Sequence, residues 1–270
     1  MPHVDSNGVS LHYEVSGEGP PLLLVAGLGG NRNSWLAVLP ELASRHRVIV
    51  FDNRGTGQSD VPDGPYSMDE LAADTAGLID ALGTGPIPAV GWSMGGIILQ
   101  AMLLDWPDRL SAAVLLSTLP SYTAAQHPWL DAVLALREAG VDPVAVGAIG
   151  AAWTFTPYYL TDHDRLRHML ELGAKDPEPT SYKGFAAQAA GIRVFDRRAE
   201  LPRVTTPTHV LVGAEDVLTP PSQSAEIASL IPGATLEILP RGGHAMIVEY
   251  PAATLRAIEG FLDRTAAGAG

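Results

Sequence analysis

Short, continuously apolar runs recur along this chain, separated by stretches long enough to form helices. Pro21-Leu22-Leu23-Leu24-Val25-Ala26, Arg47-Val48-Ile49-Val50-Phe51-Asp52, Ala112-Ala113-Val114-Leu115-Leu116-Ser117 and Thr208-His209-Val210-Leu211-Val212-Gly213 carry almost no polar residue in their interiors. A strand of that composition needs an apolar cover on both faces, which parallel sheets receive from their crossover helices. Helical patterns fall between the runs at 34–44, 68–82, 94–105, 222–231 and 252–264, the second opened by the capping box Ser67-Met68-Asp69-Glu70. The alternation predicts an α/β fold with a doubly wound, mostly parallel sheet. The segment 9–15 alternates apolar and polar residues after an Asn7-Gly8 turn and reads as a half-exposed strand.

From 121 to 203 the strand pattern disappears, and the segment reads as helices at 130–139, 144–154, 164–173 and 182–195. This divides the chain into a core domain, 1–120 and 204–270, and a helical cap or lid, 121–203. An insertion late in such a sheet lies over the C-terminal ends of the strands, where open α/β sheets bind ligands. The tail 265–270 is expected to fray.

With 270 residues, 46% of them hydrophobic and 17% charged, the chain can bury a sizeable core. A net charge of -13 offers no basic face for phosphates and argues against a nucleic-acid partner. The absence of cysteine excludes disulfides, thiolate metal sites and a cysteine nucleophile. The N-terminal residues lack the basic and apolar regions of a signal peptide, and no run reaches the roughly 18 apolar residues of a membrane span. No membrane association and a cytoplasmic location are therefore expected.

The chemistry-bearing feature is Gly91-Trp92-Ser93-Met94-Gly95, between the apolar run 87–90 and the helix beginning at Met94. Glycines two residues either side of a serine let the backbone turn sharply and force the hydroxyl out at the tip, beside the free N–H groups of a helix start. A serine nucleophile needs a base within hydrogen-bond reach. Of eight histidines, His209 opens a buried strand, His46 lies at the N-terminal edge of the sheet, His3 and His12 belong to the first strand region, and His127, His163 and His168 fall in the helical insertion. His244 follows the strand 235–239 and Arg241-Gly242-Gly243, which puts it at the same C-terminal edge as Ser93. A carboxylate must orient its imidazole. Asp216, after the strand ending at Gly213, is at that edge, with Glu215 as its neighbour and rival, while Ser117-Thr118-Leu119-Pro120 offers no acid.

Taken together, these pieces resemble the α/β-hydrolase fold family over nearly the whole chain. The serine turn is similar to the nucleophile elbow, the order Ser93, Asp216, His244 is the family's order, and Asp52-Asn53-Arg54-Gly55-Thr56-Gly57-Gln58-Ser59 and Gly243-His244 with Glu249-Tyr250-Pro251 also match. The resemblance implies a catalytic triad of these three residues and an oxyanion hole from the N–H groups of Met94 and Leu28. Ala26-Gly27 stands where many members carry His-Gly. Asp52 and Arg54 are expected to pair with each other and shape the turn near the site.

The activity so implied is a serine hydrolase cleaving a carboxylic ester or lactone of a small, largely apolar substrate through an acyl-enzyme, with no metal or organic cofactor required. C–C bond hydrolases, thioesterases, cofactor-free haloperoxidase-like enzymes and triad-retaining small-molecule receptors share the fold and stand as alternatives. Trp92 beside the serine, and Trp129, Trp153, Phe155, Tyr158 and Tyr159 in the insertion, are expected to contact an apolar or ring-bearing acyl group.

Overall fold

A computed structural model describes residues 2–268. In chain order the elements are β1 His3–Ser6, β2 Val9–Ser16, β3 Pro21–Val25, α1 Leu39–Ala43, β4 Arg47–Phe51, α2 Met68–Leu82, β5 Ile87–Trp92, α3 Met94–Asp105, β6 Leu110–Leu116, α4 His127–Glu138, α5 Pro143–Thr154, α6 Pro157–Leu160, α7 His163–Ala174, α8 Tyr182–Val194, β7 Thr208–Gly213, α9 Pro221–Leu230, β8 Thr235–Leu239, α10 Met246–Glu249 and α11 Pro251–Gly268. The eight strands form one sheet in the order β1-β2-β4-β3-β5-β6-β7-β8. β1 and β2 pair antiparallel, as do β2 and β4, and all later neighbours are parallel.

The apolar runs are continuous because successive side chains enter two different cores. Leu23 and Val25 of β3 pack with Ile49, Ala89, Ala113 and Leu115 under α2, α3 and α9. Leu22 and Leu24 join Val48, Val50, Val90 and Val114 beneath α1 and α11 on the other face. Each fully buried Leu or Val contributes on the order of 1.5–3 kcal/mol, so both faces of the central strands are strongly specified. α3 is buried from Met94 to Leu104, packed against the sheet and α2, and Gln100 within it donates to Leu119 O (3.0 Å).

Several expectations are corrected. The helix expected over 34–44 is a 3₁₀ turn, Arg32–Trp35, followed by the short α1. Pro40 explains the break, since it lacks the N–H a continuing helix would need and is at home in the first turn of a new one. β1 was not foreseen; its four residues pair across the Asn7-Gly8 turn. The segment 121–203 is helical apart from an isolated bridge between Ser121 and Asp196, and it holds an additional turn, α6. α11 runs on to residue 268, with Thr265 Oγ1 bonded back to the Phe261 and Leu262 carbonyls, so 265–268 is not frayed; residues 269 and 270 lie outside the described residues.

Asp52 and Arg54 do not pair with each other. Asp52 is fully buried and accepts from Arg32 N (2.8 Å), Arg32 Nη1 (2.9 Å) and Gln58 N (2.9 Å), with His12 Nδ1 at 3.4 Å. Arg54 instead forks onto Asp74 of α2 at 2.5 and 2.6 Å. Their side chains leave the turn toward different partners, which sequence proximity concealed.

His209 of β7 is 2% exposed, stacked on Phe261 with its Nδ1 2.8 Å from Thr235 Oγ1. Desolvation, then repulsion from Arg264, pushes its pKa down to about 4. The folded state therefore keeps this imidazole neutral where the unfolded chain binds a proton. The group's stabilising effect is complete above pH 6.5 and is lost as pH falls from 6.5 toward 4, by about 3 kcal/mol at most. Chemical denaturation between pH 7 and 4.5 should show a shallower fall in stability for His209→Phe than for the wild type; parallel curves would contradict the assignment.

Candidate active site

Ser93 lies at the tip of the turn between β5 and α3 with φ 58° and ψ -117°, a left-handed conformation costly for any residue with a side chain. Two glycines make the turn possible. A Cβ on Gly91 would strike the Gly95 carbonyl, and one on Gly95 would strike the Val25 carbonyl of the neighbouring strand. The end of β6 holds the turn in place, since Ser93 N donates to Leu116 O (2.9 Å) and Thr118 Oγ1 donates to Ser93 O (2.7 Å).

His244 Nε2 is 3.0 Å from Ser93 Oγ, and its Nδ1 is 3.1 Å from Asp216 Oδ2. Asp216 has no exposed side-chain surface, whereas Glu215 is exposed, so of the two neighbouring acids only Asp216 meets the imidazole. Its carboxylate is saturated. Oδ1 accepts from Leu218 N (3.0 Å) and Thr219 N (2.8 Å), and Oδ2 accepts from Thr219 Oγ1 (2.8 Å). Thr219 Oγ1 is also 3.0 Å from His244 Nδ1. A carboxylate beside Nδ1 accepts the hydrogen of that nitrogen, which leaves Nε2 to accept from the serine hydroxyl. Among the described residues no group of three or more His, Asp or Glu side chains converges as a metal site.

Sequence reasoning missed Thr219, which was visible only as the residue before Pro220-Pro221. Glu249 stands out in the sequence only as part of the Gly243-His244 with Glu249-Tyr250-Pro251 match, with no role attached, and Gln188 does not stand out at all. Glu249 accepts from Gly243 N (2.9 Å), Thr156 Oγ1 (2.6 Å) and Thr156 N (3.2 Å), and Ala245 N donates to Thr154 O (2.8 Å), so the His244 loop is fastened to the helical segment. Gln188 of α8, fully buried, accepts from Gly29 N (3.0 Å) and donates to Arg54 O (2.8 Å). It thereby fixes the loop that carries Leu28.

A cavity of about 370 Å³ opens over Ser93 and His244, within the size range of small-molecule sites. Leu28 and Met94 border it together with Gly27, and no Asp, Glu, Lys or Arg lines it. Trp92 lines it and donates Nε1–H to His244 O (3.0 Å). Of the aromatic residues expected from the insertion, Trp129 reaches the cavity. Trp153, Phe155, Tyr158 and Tyr159 are not among its lining residues. Trp153 and Tyr158 are exposed, while Phe155 stacks on Tyr159 at 4.6 Å, with Arg165 over the Tyr159 ring. The face of α5 turned to the cavity bears Val146, Gly147, Gly150 and Thr154, which points Trp153 away. Tyr122 and Phe185 supply the aromatic surface instead.

Residues 20–251 match the family model for the alpha/beta hydrolase fold. The chain is 30% identical to 3-oxoadipate enol-lactonase 2 of Acinetobacter baylyi over 95% of its own length and 94% of the relative's. A relative from Variovorax paradoxus, provisionally named the carbamate hydrolase RutD, is 33% identical over 95% of this chain and 97% of that one. The solved structure of a thermophilic esterase from Thermogutta terrifontis superposes with a TM-score of 0.86 at 30% identity, covering 98% of this chain and 99% of the esterase. The protein belongs to the α/β-hydrolase fold family and is a hydrolase of that fold. No helix among the described residues is long and apolar enough to cross a membrane.

Removing the Glu249 carboxylate should expose how the site is held. Glu249→Ala leaves Gly243 N–H and both Thr156 donors without their acceptor, at an expected cost of about 2–4 kcal/mol. Urea denaturation measures this, and a loss below about 1 kcal/mol would show that the tether is not structural.

Proposed function

We propose that the protein is a serine hydrolase of carboxylic esters or lactones with largely apolar, uncharged substrates. The observation that carries this reading is the chain from Ser93 Oγ through His244 to Asp216, with 3.0 and 3.1 Å links, under an apolar cavity without charged lining residues. Lactones, carbamates and esters, the classes in the relatives' names, all present an electrophilic carbonyl carbon bonded to a heteroatom that can leave, which in a lactone or ester is oxygen.

In this reading Ser93 Oγ attacks the carbonyl carbon as His244 Nε2 takes its proton. The Leu28 and Met94 N–H groups stabilise the resulting oxyanion. Collapse of the tetrahedral intermediate breaks the bond to the alkoxide, and the proton on Nε2 passes to that leaving oxygen. Water then attacks the acyl-enzyme, delivering a proton to Nε2, which returns it to Ser93 as the carboxylic acid leaves. Asp216 keeps the imidazole in the required tautomer and stabilises the imidazolium. Residues 121–203 act as a cap over a core of 1–120 and 204–270, and the cavity beneath them selects the substrate.

Ser93→Ala should reduce hydrolysis of p-nitrophenyl acyl esters by about 10⁴-fold or more and abolish labelling by a serine-directed phosphonate, with the fold unchanged by circular dichroism. Retention of most activity by that variant would sink the proposal. In the wild type, labelling without repeated turnover would point to a receptor that has kept the serine site.

Thr219→Val removes the hydroxyl shared by Asp216 and His244. About a tenfold loss in kcat is expected, with KM nearly unchanged and recovery in Thr219→Ser. An equal loss in both variants, or a loss carried by KM, would show that the hydroxyl does not position the imidazole.

A further inference from the structure

Two of the four α5 residues that line the cavity are glycines. Gly147 and Gly150 face the cavity between Val146 and Thr154, positions that share one side of a helix. Glycine weakens a helix interior relative to alanine, so its presence calls for a reason. In α8 the reason is contact: a Cβ on Gly184 would strike the backbone of Gly55, and one on Gly191 would strike the Tyr66 carbonyl. Gly150 has no such constraint. Its φ is not positive, and a Cβ built there finds no atom within 4 Å. A Cβ on Gly147 meets only the Leu170 Cδ2 methyl, at 2.8 Å. What glycine provides at 150 is space adjoining the cavity.

That space has a direction. The end of α5 is anchored beside the imidazole, since Thr154 O accepts the N–H of Ala245. At a rise of 1.5 Å per residue, Gly150 lies roughly 6 Å and Val146 roughly 12 Å back along the helix from Thr154. Leu130 and Val133 of α4 also line the cavity, so α4 and α5 both contribute apolar wall.

We propose that Gly150 is a specificity-determining residue: it leaves open a channel along α5 that takes an unbranched alkyl arm of the substrate, leading away from the carbonyl held at Ser93. The inference rests on the serine-hydrolase reading above and adds the class of substrate, an ester or lactone with an extended alkyl chain. A leucine at 150 would project back toward Gly147, as helical side chains lean toward the N-terminus, and would fill this channel.

The test compares wild type, Gly150→Ala and Gly150→Leu on two series: p-nitrophenyl esters from acetate to decanoate, and alkyl acetates from methyl to octyl. The ratio of kcat/KM for long over short substrates should fall at least about tenfold in Gly150→Leu and by less in Gly150→Ala, in whichever series enters the channel. The series affected identifies the arm as acyl or alkoxy. Gly150→Ala should also raise the melting temperature, because alanine is the better helix former. If Gly150→Leu does not fold, the alanine variant carries the test through a smaller drop in the same ratio. A wild type confined to the shortest esters, a uniform loss across both series, or unchanged ratios would overturn the inference. Failure of the underlying reading is distinct, because wild type would then hydrolyse none of these esters and take no phosphonate label.

Discussion

The backbone at Ser93 is the constraint around which the rest of the site is arranged. A φ of 58° at a residue with a side chain costs on the order of 1–3 kcal/mol and persists only where its surroundings over-determine it. Here the strand below is central in the sheet, β3 and β6 pair with it on either side, and the far end of β6 contributes both an acceptor for Ser93 N and the Thr118 hydroxyl that bonds its carbonyl. Gly91 and Gly95 remove the Cβ atoms that would otherwise block the turn. The hydroxyl is thus held at the C-terminal edge by the central strands of the sheet, and Ser117, just past β6, shares the positive φ at 45°.

The imidazole opposite is held by loops, and loops need fastening. The sheet brings the ends of β7 and β8 together, with Glu215 N bonded to Gly242 O and Ala214 N to Leu239 O. Beyond that, Glu249 and Thr154 join the His244 loop to the helical segment, and Gln126 joins the start of α4 to Leu218 O, next to Thr219. The segment that lines the cavity therefore also helps hold the His244 and Asp216 loops in place. α8 is the most firmly seated part of the segment, with Gln188 bridging to Gly29 and Arg54, while α7 buries none of its residues.

The fold was legible because a parallel sheet covered on both faces writes itself as apolar runs, and the sharp turn writes itself as glycines around a serine. His244 could be chosen among the histidines by sheet edge alone. The preference for Asp216 over Glu215 had a weaker basis, and burial separates them: one enters the space beside the imidazole and the other faces solvent. Contacts made across long sequence separations left no local trace. Nothing in the sequence around Glu249 shows that its carboxylate meets Thr156, and Asp52 and Arg54, two positions apart, diverge to Arg32 and Asp74. The aromatic residues of α5 and α6 were visible as a cluster, but helical direction, which composition does not encode, turned them from the cavity.

The cavity lining explains why reaction chemistry and substrate identity differ so much in legibility. A proposed nucleophile, base and acid must be particular residue types at particular edges, so they leave signatures. A site that recognises its ligand through charge leaves one too, because a buried carboxylate or guanidinium needs a partner. This cavity has no charged residue among its described lining, which is apolar apart from a few hydroxyl, amide and imidazole groups, so any selectivity proposed for it has to rest on shape and on those groups. Shape is set partly by atoms that are absent, as at Gly150, and an absent side chain reads in sequence as one more glycine among 28. Only the surroundings of each glycine separate one required by a close backbone approach, such as Gly184, from one with open space where a Cβ would stand, such as Gly150.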